Sequence, residues 1–179
     1  MNAGPVLAET ARPNRRSVKA MTIRAATKLR PARLADVPAL LRLMAAFNRA
    51  ERIPFRRGAV AEGLRRLLRD RRLGIIVVAP RSTGRSLVGY AVGTFGYDLE
   101  FAGPDAFLTE IYVEAAARSR GLGAQLLDTL TAALRDGGAR AVTLLVLPEN
   151  KAARRLYARA GFQRLPRIAM VRRLETKPR

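Results

Sequence analysis

The chain predicts a mixed α/β domain, one sheet with helices on both faces, in the order β-α-α-β-β-β-α-β-α-β. Three observations lead there. Apolar residues recur at helical spacing in four segments. Runs rich in β-branched residues, bounded by Gly and Pro, separate them. The alternation of the two patterns along the chain calls for a sheet packed on helices. A chain of 179 residues suits one such domain with a full core, and it contains neither internal repeats nor a second domain.

Residues 1–27 have scattered polarity and no period, and read as a basic, disordered N-terminal extension in which Met21 is a second candidate start. The domain then runs over residues 28–179. A short strand is expected at Lys28–Pro31. Asp36 stands as an aspartate cap before VPALLRLMAAFNRA, where Val37, Leu40, Leu41, Met44 and Phe47 mark one helix face. A second helix, Ala59–Arg69, buries Val60, Leu64, Leu67 and Leu68 and turns arginines outward.

Gly74 releases the strand IIVVA, and the turn RSTGR joins it to LVGYAVGTF as an antiparallel hairpin. After the loop GYDLEFAGPDA comes the strand FLTEIYV. A long helix follows from Gly121 to Asp136, stopped by Gly137 and Gly138. AVTLLVL reads as a buried strand, Asn150–Ala160 as a helix closed by Gly161, and RIAMVRR as the last strand.

Composition narrows the chemistry. The chain has no cysteine, which removes disulfides, thiolate metal sites and a cysteine nucleophile. It has no histidine either, so serine–histidine triads, histidine bases and nearly all zinc chemistry are excluded. No metal site is expected. No apolar run approaches the roughly eighteen residues of a membrane span, and no secretory signal is visible, so the expected location is the cytoplasm. The net charge is +20, and residues 1–20 account for only +3 of it. The rest spreads over the folded part. Such a surface attracts phosphates or an acidic partner, and it is equally what arginine-biased codon usage yields, since only four of the 34 basic residues are lysine.

The constellation that carries chemistry begins with VEAAARSRGLGAQLLDTL. A strand passes through a loop into a helix whose free amides and positive dipole end favour a pyrophosphate. Gly121 and Gly123 let those amides approach a ligand closely, and Arg118 and Arg120 add positive charge. Ser119 is an alternative helix cap. After the next strand comes Asn150-x-x-Ala153-x-x-x-Tyr157-x-x-x-Gly161-Phe162. Asn150 can cap the helix or hold a ligand amide. Ala153 and Tyr157 share one helix face, whereas Ala152 and Leu156 face the core.

The two motifs, in this order and about thirty residues apart, resemble the Gcn5-related N-acetyltransferases. The match is close over residues 107–162. From Leu29 through Phe95 it rests on element order and the opening LRPARLADVPALL. YDLEFAG together with FLTEIYV is most similar to the polyamine and small-amine branch. The resemblance implies a mostly antiparallel sheet that splays around acetyl-CoA, with pantetheine between the strands Leu108–Val113 and Ala141–Leu147. Backbone groups at Ile111 and Val113, flanking Tyr112, would bond it like an added strand. Amides of Arg118, Ser119, Arg120, Gly121, Leu122, Gly123 and Ala124 would hold the pyrophosphate. Asn150, Ala153 and Arg154 would border the pantetheine and adenosine.

Tyr157 matches the tyrosine that protonates the leaving thiolate as general acid. Many relatives carry a catalytic glutamate where this chain has Thr109, which would then order a water. Glu110, its neighbour, is an alternative base if a bulge turns it inward; Glu100, Asp98 or a terminal carboxylate are others, and pairing with an arginine is Glu110's plain structural role. The implied partner is an amine acceptor, with a homodimer common in the family. The rival readings are a non-catalytic CoA-binding module and a basic nucleic-acid-binding domain. Low aromatic content, six per cent, and the absence of a recognition motif disfavour the latter.

Overall fold

The computed structural model describes residues 28–81 and 86–174; the expected N-terminal extension and most of the RSTGR turn lie outside the described residues. Five strands form one sheet in sequential order: β1 (Arg30–Pro31), β2 (Gly74–Pro80), β3 (Leu87–Asp98), β4 (Gly103–Val113) and β5 (Val142–Leu144). All neighbours are antiparallel except β4 and β5, which are parallel. Four α-helices complete it: α1 (Val37–Ala50), α2 (Arg57–Arg69), α3 (Leu122–Asp136) and α4 (Lys151–Arg159).

Strand β2 shows why its apolar run is continuous. Ile76 and Val78 enter the cluster under α1 and α2, while Val77 and Ala79 enter the cluster under α3 and α4. A strand buried on both faces cannot alternate with polar residues. On α3, Leu122, Leu126, Leu127, Leu130 and Leu134 form one buried stripe. Leu134 lies so close to β3 that a Cβ on Gly93 would stand 2.7 Å from its Cδ1, so a larger residue there would force this buried leucine to shift.

Asp36 precedes α1 as expected but makes no side-chain bond into it. Its carboxylate accepts instead from the Arg33 N–H (2.8 Å) and from both Arg30 guanidinium nitrogens (2.7 and 2.9 Å), closing the turn that leads from β1. The Arg30 bond, with smaller help from the Arg33 amide, holds its pKa below the usual carboxylate range against the opposing effect of burial. The Asp36→Asn variant should lose about 1–3 kcal/mol at neutral pH. That difference is fully present above about pH 4. It should vanish as pH falls through the lowered native pKa, because the native carboxylate then protonates. Urea denaturation of both proteins at pH 7 and pH 3 checks it.

Two expected strands are corrected. β5 was expected as buried over AVTLLVL, yet it pairs only over Val142–Leu144, and Leu145 and Leu147 are exposed. The cause is the splay from β4, which leaves the chain without a ladder partner beyond Leu144. RIAMVRR forms no strand: Ile168, Met170 and Val171 are each at least 90% exposed. Arg167 is drawn to the loop before β4 by both Glu100 oxygens (2.7 and 3.1 Å), and the regular part of β5 is too short to align a sixth strand. β3 and β4, in turn, extend through most of the expected loop, leaving a turn at Leu99–Phe101.

Candidate active site

The site lies where β4 and β5 part. Pairing runs Ala106–Val142, Phe107–Thr143, Leu108–Leu144 and then stops, so the edge of β4 from Thr109 onward is open on the β5 side. On its other side the Glu114 N–H donates to the Val88 carbonyl at 2.9 Å. Antiparallel alternation then turns the backbone groups of Tyr112 toward β3 and those of Ile111 and Val113 toward the gap. The backbone groups of Ile111 and the Val113 N–H are therefore open for an added strand, and those of Tyr112 are not. The Tyr112 ring goes to the opposite face, edge-on to Phe47 of α1.

The loop after β4 approaches the gap through two residues of positive φ, Ser119 (59°) and Gly121 (75°). Ser119 does not cap α3, which starts after Gly121 without a side-chain cap. The first helical bond is Gln125 N–H to Gly121 O, so the amides of Leu122, Gly123 and Ala124 have no helical acceptor. Those of Ser119, Arg120 and Gly121 also donate to no protein group among the described residues. The Arg118 amide does not belong with them, because it donates to the Ala115 carbonyl. Its guanidinium folds back over the Tyr112 ring and donates Nε–H to the Val113 carbonyl at 2.8 Å.

Helix α4 closes the other side. Asn150 caps it, its Oδ1 accepting from the Ala153 N–H at 3.1 Å. Arg154 is exposed and donates to the Pro148 carbonyl. A Cβ on Gly123 would lie 3.6 Å from Leu156 Cδ2, which places the start of α3 directly against α4. Leu156 and Ala153 pack on the same apolar cluster as Ile111, Val113 and Leu122, while Ala152, expected inward, is exposed. Tyr157 is 8% exposed and stacks on Phe162, centroids 5.8 Å apart. Among the described residues its hydroxyl bonds no protein group, and no fully buried side-chain oxygen lacks a partner. The hydroxyl therefore keeps some contact with solvent, while the ring borders the cluster that holds Ile111, Val113 and Leu122. Burial, and less strongly the charge of Glu51 at the end of α1, raise its pKa, so it stays a neutral donor. Glu51 carries no sequence signal that marks it as a neighbour of this tyrosine.

The base candidates separate clearly. Val92 pairs with Glu110 and Gly93 with Leu108, leaving Thr109 as the extra residue of a β-bulge. Thr109 donates its hydroxyl to the Val92 carbonyl at 3.2 Å. Past the bulge the alternation shifts: Leu108 enters the α3 cluster, whereas Glu110 turns to the α1 face. There its Oε2 accepts from the Tyr90 hydroxyl at 2.6 Å, so its partner is a tyrosine and not the arginine expected for a structural role. Asp98 and Glu100 are excluded as bases. They precede Gly103, and the eleven residues of β4 carry the chain about 35 Å from there to Val113. Asp98 caps the Glu100 amide and Glu100 holds Arg167.

The open strand edge, the free helix amides and the Tyr157 ring thus border one apolar cluster. The acetyltransferase (GNAT) family model matches residues 40–162, and the chain belongs to that family, whose members use acetyl-CoA. It is 33% identical over 82 residues to thialysine N-epsilon-acetyltransferase of Bos taurus, covering 46% of this chain and 48% of that protein. The chain thus spans about half the length of the curated relative it matches. An integron cassette protein from the mobile metagenome of Cole Harbour Salt Marsh superposes with a TM-score of 0.71 at 31% identity, over 83% of this chain and 91% of that one. The fold is shared too with a protein of Clostridium acetobutylicum described as a predicted acetyltransferase with acetyl-CoA (TM-score 0.69, 18% identity, 81% and 95% covered). Among the described residues no helix is long and apolar enough to cross a membrane.

Proposed function

We propose that this protein transfers the acetyl group of acetyl-CoA directly to the primary amine of a small molecule or peptide. The observation that carries the reading is that the open β4 edge, the start of α3 with its unpaired amides, and Tyr157 all border one apolar cluster, that of Ile111, Val113 and Leu122. Pantetheine would take the backbone groups of Ile111 and Val113, which requires Arg118 to release the Val113 carbonyl. The pyrophosphate would take the amides of Leu122, Gly123 and Ala124, and the positive end of α3 would favour its charge.

The acceptor enters as an ammonium and loses one proton to a base. Its nitrogen then attacks the thioester carbonyl, forming C–N, with the oxyanion held by a backbone N–H near Val113. The C–S bond breaks, the thiolate takes the Tyr157 proton, and the second proton lost by the attacking nitrogen restores the phenol. Products are the amide and CoA thiol, with one proton released overall.

Charge narrows the acceptor. Residues 49–72 carry nine arginines against Glu51, Glu62 and Asp70, a net +6, and Asp70 is paired with Arg72. As part of the +20 net charge of the whole chain, this field disfavours the approach of polyamines with several positive charges and favours an amine that also bears a carboxylate. The similarity to an enzyme named for thialysine, an amino acid, supports the same class.

Two measurements test the reading. Calorimetry should detect acetyl-CoA binding without an acceptor, and saturation at 100 times Kd should add roughly 2.7 kcal/mol of stability. Free thiol release across an amine panel should then identify the acceptor, with no background from a chain that lacks cysteine. No binding at millimolar CoA would sink the proposal.

A further inference from the structure

Outside the gap, the described surface offers a shallow, open depression at the end of α3, the arginine field on α2 and the exposed apolar segment at 168–174. The first has no buried polar group aimed into it, and nothing in the structure shows what covers the other two. The buried polar pair on β3 and β4 goes further.

Tyr90 is fully buried, its ring enclosed by the α1 and α2 cluster, and its hydroxyl reaches no water. It sits opposite Tyr112 in the ladder and donates diagonally to Glu110 Oε2 at 2.6 Å. Without the bulge at Thr109 the carboxylate would lie on the α3 face, beyond this phenol. We propose that Tyr90 is the positioning residue of the general base: it fixes the Glu110 carboxylate on the α1 face of the bulged strand, where the ionised carboxylate takes the acceptor's proton. The inference rests on the acetyltransferase reading above and adds the residue that makes its base work.

The alternatives for Tyr90 are weaker. A purely packing tyrosine at a fully buried position would also need a partner for its hydroxyl, but a backbone carbonyl would serve. Here the partner is an acid without any ion pair among the described residues. The titratable groups facing Glu110 are Tyr90 from β3 and Tyr112 from its own strand; α1 and α2 present apolar residues to this cluster. Burial raises the Glu110 pKa, and the Tyr90 bond acts against it by stabilising the charged form. Burial and the Glu110 charge push the Tyr90 pKa far above its ordinary value, so the phenol stays a donor at every workable pH. The Tyr90 bond therefore favours the ionised form of a desolvated carboxylate, the form a base needs when the ammonium arrives.

Removing the hydroxyl leaves the burial and deletes the opposing bond, so the Glu110 pKa must rise in Tyr90→Phe. A hydrogen bond to a charged group is worth enough to move it by roughly one pH unit or more. Two readouts follow. Carbon-13 NMR titration of the Glu110 carboxylate, in the full chain without acceptor, should show that rise; it needs no turnover and so stands apart from the fate of the parent reading. With an acceptor from the amine panel, the acid limb of kcat/KM should shift upward by the same amount in Tyr90→Phe, with KM for acetyl-CoA unchanged within about twofold. Glu110→Gln should remove that limb and lower kcat/KM on the order of 10²-fold or more. An unchanged Glu110 titration in a folded Tyr90→Phe overturns the proposal. So does a Glu110→Gln variant within a few-fold of wild type, which would leave Thr109 and a water as the proton path.

Discussion

Tyr157→Phe is expected to lower kcat by about 10²–10⁴, the usual loss when a general acid is removed. The ring keeps its place: it is 8% exposed and stacked on Phe162, and phenylalanine preserves both contacts. Only the hydroxyl is lost, and among the described residues no protein group is left unpaired by its loss because none bonds it. Burial keeps the native phenol protonated, so it donates without prior charging. Its interaction strengthens as the thiolate develops, hence CoA affinity should change within about threefold. Steady-state kinetics with an established acceptor, beside CoA calorimetry, separate the two effects. Should kcat stay within a few-fold while the chemical step limits the rate, Tyr157 is a packing residue and the acid is an ordered water.

The legible part of this protein was the part governed by local rules. Helical spacing placed α1, α3 and α4 to within a residue at each end, because each presents a leucine- or tyrosine-bearing face to a sheet. The glycine loop and the Asn150–Tyr157 helix were legible because a helix start and a small-residue face are written in consecutive residues. Long-range geometry was not. The bulge at Thr109 depends on how β4 registers against Val92 and Gly93, and nothing in TEIYV announces it. Without it Glu110 reads as misplaced and Tyr90 as ordinary core. The splay that exposes Leu145 and Leu147 is likewise a property of two strands parting, invisible in a run as apolar as AVTLLVL. The sixth strand failed for the same reason: RIAMVRR has strand chemistry, but the short β5 and the Arg167–Glu100 pair decide where it goes.

Gly123→Leu is expected to weaken acetyl-CoA binding by at least about 100-fold, equivalent to roughly 2.7 kcal/mol, without destabilising the fold. The structure distinguishes this glycine from its neighbour. Gly121 has φ +75°, so any side chain there strains the backbone and confounds folding with binding. Gly123 is within α3, and a Cβ on it would meet only Leu156 Cδ2, at an ordinary 3.6 Å. Leucine is also the better helix former by several tenths of a kcal/mol, which offsets any small crowding. What the side chain would fill is the space between the start of α3 and α4, beside the unpaired amides proposed above to take the pyrophosphate. Stability and affinity should therefore move independently: Tm without ligand holds steady, and the rise in Tm on adding acetyl-CoA disappears. Differential scanning fluorimetry with and without ligand, confirmed by calorimetry, reads both. If Kd remains within threefold of wild type, the pyrophosphate does not rest on this helix start, and the arginines of the loop must hold it elsewhere.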